Sequence, residues 1–165
     1  MAAPTPIEGV TEEMPFGQVA ALVVEARVSE LIAHSDGVLD LEEIGHLHDM
    51  RVATRRLRAA LEVFEPCFPK RRYRRLLADV KGLADALGER RDRDVAIDSL
   101  TAFADSLPRP DRPGVASLIE SYRDQQRRAN QELAPAVHRR WLAGLEERAR
   151  ELAAEARAAV PEEPR

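Results

Sequence analysis

Apolar residues recur at helical spacing along most of the chain. From Phe16 to about His34, Val19, Leu22, Val23, Ala26 and Val28 form one broad face that Leu31 and Ile32 continue, which predicts a first helix. His34, Ser35, Asp36 and Gly37 read as its end, with Gly37 near the C′ position. A second helix is expected from about Asp40 or Glu42 through Phe64, stopping before Pro66. On it, Met50, Ala53, Leu57, Ala60, Leu61 and Phe64 share the core-facing side. Pro66 to Pro69 reads as a tight connection. A third helix is expected from Pro69 or Lys70 to Leu87, where Gly88 ends or bends it, with a further helical stretch from about Asp92 to Ser106. Its apolar face holds Tyr73, Leu76, Leu77, Val80, Leu83, Ala84 and Leu87. Pro108, Pro110 and Pro113 mark a loop, and a last long helix is predicted from Gly114 to Val160 with a kink at Pro135.

No strand-like alternation and no internal repeat is present, so the expected fold is all-α: an antiparallel bundle of four main helices. Residues 1–15, with Pro4, Pro6, Gly9 and Pro15, read as a flexible leader; residues 16–160 read as the helical domain and 161–165 as a disordered tail. The 165 residues suffice for one ordinary domain with a sizeable core, and 33% charged against 44% hydrophobic residues is a globular balance. No apolar run approaches the length of a membrane span, and the N-terminus lacks a basic segment followed by an apolar one, which argues against a secretory signal. A single cysteine, Cys67, excludes an intrachain disulfide and fits a reducing, cytoplasmic setting; lying between phenylalanines and prolines, it reads as packing.

Charge changes the picture. The net charge is −4, yet residues 1–50 hold 1 basic and 10 acidic side chains, residues 51–93 hold 13 and 6, and residues 94–165 hold 11 and 13. A mildly acidic chain thus has a strongly basic middle, which points to an anionic partner met locally. At about 100° per residue, His48, Arg51, Arg55 and Arg58 fall within one stripe about 80° wide, away from the apolar face, while Arg56 projects elsewhere. Arginines three or four residues apart stack their guanidinium groups about one turn apart, and each offers phosphate a planar fork of donors. Lys70, Arg74 and Lys81 lie within about 40° of one another on the third helix, so the two basic stripes border one groove if those helices pack antiparallel. Arg71, Arg72 and Arg75 point away from it.

The competing reading is structural. The same arginines can be solvated, or can bridge to Glu62, Glu65, Asp85 or the acidic first helix. Asp92 or Asp94 is expected to cap the helix after Gly88, and the other to orient Arg91 or a residue of the stripe. His46 and His48 point about 160° apart on a helix, poor geometry for one metal, and no metal or other cofactor is expected. There is no glycine-rich phosphate loop, no nucleophile elbow and no carboxylate pair set apart as acid and base, so no enzymatic activity is expected. Aromatics at 4% argue against a base-stacking platform, although a basic stripe by itself does not exclude nucleic acid.

The segment His48-Asp49-Met50-Arg51-Val52-Ala53-Thr54-Arg55-Arg56-Leu57-Arg58 resembles the signature of CHAD domains, the conserved histidine α-helical domains. The later stretch from Leu83 to Val95, with Gly88, Arg91, Asp92, Asp94 and Val95 in order, resembles the family's second characteristic stretch, and Lys81 falls where the family tends to have a basic residue. The resemblance implies a helical, non-catalytic module that binds inorganic polyphosphate through a basic surface, with His48, Arg51, Arg55, Arg56, Arg58, Lys81 and Arg91 as the contacting residues; the basic stripe adds Arg74. It also implies a cytoplasmic location, in association with polyphosphate granules. A full domain of this family has two similar four-helix modules, and one copy of the motif is present here. Either a second copy of the chain supplies the other module in a two-fold homodimer, or the half-domain stands alone and binds more weakly. A nucleic-acid binder and a structural or adaptor bundle remain the alternatives.

Overall fold

The computed structural model describes residues 3–159, and its described residues form five α-helices and three short 3-10 turns with no strand. The helices are α1 (Phe16–Ala33), α2 (Gly45–Val63), α3 (Lys70–Ser106), α4 (Arg112–Leu133) and α5 (Arg139–Ala158). The expected tail at 161–165 lies outside the described residues. α1 packs on α2 and α5, α2 on α3, and α3 on α4, with a smaller contact between α3 and α5.

The core-facing sides expected for the second and third helices are largely those observed. Met50, Ala53, Leu57, Ala60 and Leu61 of α2 are buried, as are Tyr73, Leu76, Val80, Leu83 and Leu87 of α3. Phe64, Leu77 and the half-buried Cys67 pack against this core, and burial pushes the Cys67 thiol pKa up, as expected of a packing cysteine. On α1 the face is displaced. Ala20, Ala21, Val24, Val28 and Leu31 are buried, whereas Val19, Leu22, Val23 and Ala26 are half-buried flanks. α1 is apolar nearly all round, so periodicity alone does not select its inner side. A close approach to α5 does: a Cβ at Gly17 would collide with the Ala156 carbonyl.

Four boundaries differ from expectation, each for a local reason. Gly37 is not at the helix C′ position; with φ +77° it serves the turn that follows, and its carbonyl accepts from the Asp40 amide. α2 starts at Gly45 because Asp40 Oδ1 accepts from the amides of Glu42 and Glu43, at 2.8 and 3.2 Å, and holds that stretch in a turn. α3 runs unbroken through Gly88 for 37 residues, about 55 Å. A helical glycine costs only about 1 kcal/mol, and the packing of α3 on its neighbours outweighs it. The expected last helix is two helices. Pro135 does not kink it but lies in a 3-10 turn, Ala134–Val137, that separates α4 from α5.

Because α3 is continuous, neither Asp92 nor Asp94 caps a helix. Asp92 is exposed in mid-helix, whereas Asp94 is buried. Leu83, Leu87, Arg90 and Asp94 lie on one inward line of α3, and Arg90 is 0% exposed. Its Nε donates to Asp94 Oδ1 at 2.9 Å, its Nη1 to Asn130 Oδ1 on α4, and its Nη2 to the Asp40 carbonyl at 3.0 Å. Gln126 Nε2 donates to the same Asp94 oxygen at 2.7 Å, and Asn130 Nδ2 donates to the Leu39 carbonyl at 2.9 Å. One guanidinium thus ties α3, α4 and the segment leading into α2.

Removing one member of a buried, hydrogen-bonded pair leaves the other charge unpaired, which costs about 3–5 kcal/mol. Arg90→Met is therefore expected to lower stability by about that amount in urea denaturation followed by circular dichroism, whereas Arg93→Met, at an exposed surface pair with Glu89, changes it by less than about 1 kcal/mol.

Candidate anion-binding face

α2 presents three different sides. The apolar side faces the core. One flank carries Arg56, which projects away from the stripe and pairs with Glu30 of α1. Glu30 is only 4% exposed and also accepts from Arg27 on its own helix. The third side carries His48, Arg51, Arg55 and Arg58. Arg55 and Arg58 are exposed; His48 and Arg51 are half-buried.

These cations fall into two groups. Arg58 Nε pairs with Glu62 Oε1 at 2.9 Å, the intrahelical partner expected from sequence, but the two side chains are 44% and 45% exposed. Such a surface pair is worth about 0.3–0.5 kcal/mol and yields readily to a stronger anion. The side chains of His48, Arg51 and Arg55 have no hydrogen bond or ion pair with any described residue. On α3, Arg74 and Lys81 are exposed, Arg91 is half-buried, and these three also lack such a partner. Asp85, a conceivable partner, makes no ion pair among the described residues.

All eight sequence-predicted cations lie on α2 or α3, two helices that pack together, and the side chains of six of them have no partner among the described residues. Arg56 is not among the six; its guanidinium is held by Glu30. Asp94 orients Arg90 rather than Arg91. Composition and motif spacing do not single out Arg90, Gln126 or Asn130. The available signal is register: Arg90 and Asp94 continue the line of Leu83 and Leu87 at spacings of three and four. Among the described residues, no three His, Cys, Asp or Glu side chains are grouped to hold a metal ion. No described helix is long and apolar enough to cross a membrane.

The arrangement defines an all-α domain. The chain belongs to the CHAD domain family, whose model matches residues 22–165. No curated protein matches the chain.

Glu30 sets the pH behaviour of the flank opposite the stripe. Burial raises its carboxyl pKa, but hydrogen bonds from Arg27 and Arg56, together with their charges, outweigh burial and hold it below the ordinary 4.5. A group whose folded pKa is lowered stabilises the fold above its unfolded pKa, and that stabilisation is lost as pH falls through the folded value. The melting temperature is expected to fall as pH drops below about 4.5, and Glu30→Gln to lower it at pH 7 while flattening this acid limb. Melting curves from about pH 7 to about pH 3 read both effects.

Proposed function

We propose that this domain binds inorganic polyphosphate on the α2–α3 face, without catalysing a reaction on it. Membership of the CHAD family supports the ligand class. The observation that carries the assignment to this face is that His48, Arg51, Arg55, Arg74, Lys81 and Arg91 have no carboxylate partner among the described residues, in a chain whose net charge is −4. Elsewhere in the fold, many arginines are tied to acids: Arg27 and Arg56 to Glu30, Arg72 to Glu151, Arg148 to Asp79, Arg157 to Glu25.

In this reading α2 and α3 run antiparallel across the turn at Glu65–Cys67. Arg55 precedes Phe64 by nine residues and Lys81 follows Lys70 by eleven, so the two stand at about the same height at about 1.5 Å per residue. By the same count His48 stands near Gly88 and Arg91. A linear polyanion laid along the seam meets a fixed row of donors, with each guanidinium offering two parallel N–H groups to phosphate oxygens. Arg58 joins the row by exchanging Glu62 for phosphate. Longer chains engage more of the row and release more counterions, so affinity rises with chain length. The other module expected of the family is supplied by a second copy of the chain in a two-fold pair; a monomeric mass in light scattering at micromolar concentration would remove this part of the proposal. The setting that fits this activity is the cytoplasm, at polyphosphate granules.

Arg55→Ala is expected to weaken binding of long-chain polyphosphate several-fold, and Arg55→Glu by about tenfold or more, with helicity and melting temperature unchanged. Calorimetric titration with duplex and single-stranded DNA as competitors reads both the affinity and its selectivity. Unchanged affinity in Arg55→Glu, or displacement of polyphosphate by DNA at matched phosphate concentration, would move the nucleic-acid or the adaptor reading ahead.

A further inference from the structure

A second group of arginines lies outside the α2–α3 row. Arg71, Arg72 and Arg75 point away from that row, as their helical spacing predicts. The structure places them, with Arg148 and Glu151 of α5, around a cavity of about 290 Å³ on the α3–α5 side. We propose that this cavity is a separate binding site for a short phosphate chain of the triphosphate class, whether free or as the end of a longer polymer. The choice of ligand rests on the polyphosphate reading above; the site itself rests on the cavity and its lining.

Two of the four guanidinium groups have carboxylate neighbours. Arg72 Nη1 donates to Glu151 Oε2 at 2.8 Å, and Arg72 Nε lies 3.1 Å from Glu155 Oε1. Arg148 Nε lies 3.0 Å from Asp79 Oδ2, near enough to pair but not aligned as a hydrogen bond. These contacts leave Arg72 Nη2 and both terminal nitrogens of Arg148 without a carboxylate among the described residues. The half-buried Arg148–Asp79 pair positions its guanidinium before a ligand arrives, whereas Arg72 and Glu151, both 52% exposed, part as readily as Arg58 and Glu62. Arg71 and Arg75 are the other two. They are one helical turn apart on α3, are exposed, and their side chains have no hydrogen bond or ion pair with a described residue.

Charge favours an anion here. Four guanidinium groups face Glu151, Glu155 and Asp79, so the surroundings keep a net positive charge, and the two unpaired arginines supply it. The cavity has the volume of roughly ten liquid water molecules, more than a single phosphate group requires. The N-terminal turns of α3 also link the two sites. By helical spacing Arg74 lies between Lys70 and Lys81 on one side and Arg71 and Arg75 on the other, so a long chain leaving the row can turn around α3 and end in the cavity.

The test uses sodium triphosphate and long-chain polyphosphate with three proteins: the full chain, Arg71→Glu/Arg75→Glu, and Arg51→Glu/Arg55→Glu. Triphosphate is expected to bind the α3 variant about tenfold or more weakly than the full chain, and to lose less affinity in the α2 variant than in the α3 variant. It is also expected to protect Arg71 and Arg75 from phenylglyoxal in the full chain, read by mass spectrometry. A milder Arg71→Gln/Arg75→Gln variant with unchanged circular dichroism separates loss of the site from loss of the fold. No triphosphate binding to the full chain, full-chain affinity in both α3 variants, or no protection of Arg71 and Arg75 would overturn the proposal. Long-chain polyphosphate distinguishes the two sources: a chain whose end enters the cavity binds the α3 variant more weakly, whereas a ligand taken only as free triphosphate leaves long-chain affinity unchanged there. Long-chain binding insensitive to Arg51 and Arg55 would defeat the proposed function while leaving the triphosphate result to stand by itself.

Discussion

Arg90 is the charge around which this fold is arranged. It sits where a leucine would continue the line of Leu83 and Leu87, and it is fully enclosed. A guanidinium in that position is tolerated only when its donors are met, and they are met from Asp94 on α3, from Asn130 on α4 and from the Asp40 carbonyl. The last contact matters most for the site. Asp40 in turn holds the amides of Glu42 and Glu43, immediately before α2 begins at Gly45. The direction in which α2 leaves that turn decides where His48 and Arg51 stand against α3.

A second constraint is the uneven placement of carboxylates. The acidic majority of the chain is not spread as a neutralising coat. Several acids are used at seams: Glu30 between α1 and α2, Glu151 and Glu155 between α5 and α3, Glu25 between α1 and α5. The side chains of His48, Arg51, Arg55, Arg74, Lys81 and Arg91 are left without a carboxylate partner among the described residues. Net charge therefore says little about this protein's electrostatics, since the local field depends on which cations are paired.

Much of this is legible in the sequence. The inner sides of α2 and α3 are strongly segregated, and period alone locates Met50, Leu57, Val80 and Leu83 in the core. The basic stripe is legible for the same reason, and the separation of Arg56 from it follows from helical angle. What is not legible depends on neighbours. Gly88 reads as a breaker, yet tertiary packing carries α3 through it, and with the break goes the capping role expected of Asp92 or Asp94. α1 is apolar on too many sides for its spacing to choose a face, so contact at Gly17 and Ala156 chooses it. Arg90 is easily passed over because a charge normally signals surface, and only its register with Leu83 and Leu87 argues otherwise.

The central claim is that a row of unpaired cations on α2 and α3 holds a phosphate polymer electrostatically. The measurement that tests it most directly is the dependence of long-chain polyphosphate affinity on salt, by calorimetric titration of the full chain at several salt concentrations. About five or six neutralised phosphates predict that log affinity falls linearly with log salt, with a slope of about −4, taking the value per contact found for single strands. No binding at low salt, or a slope near zero, would contradict the claim.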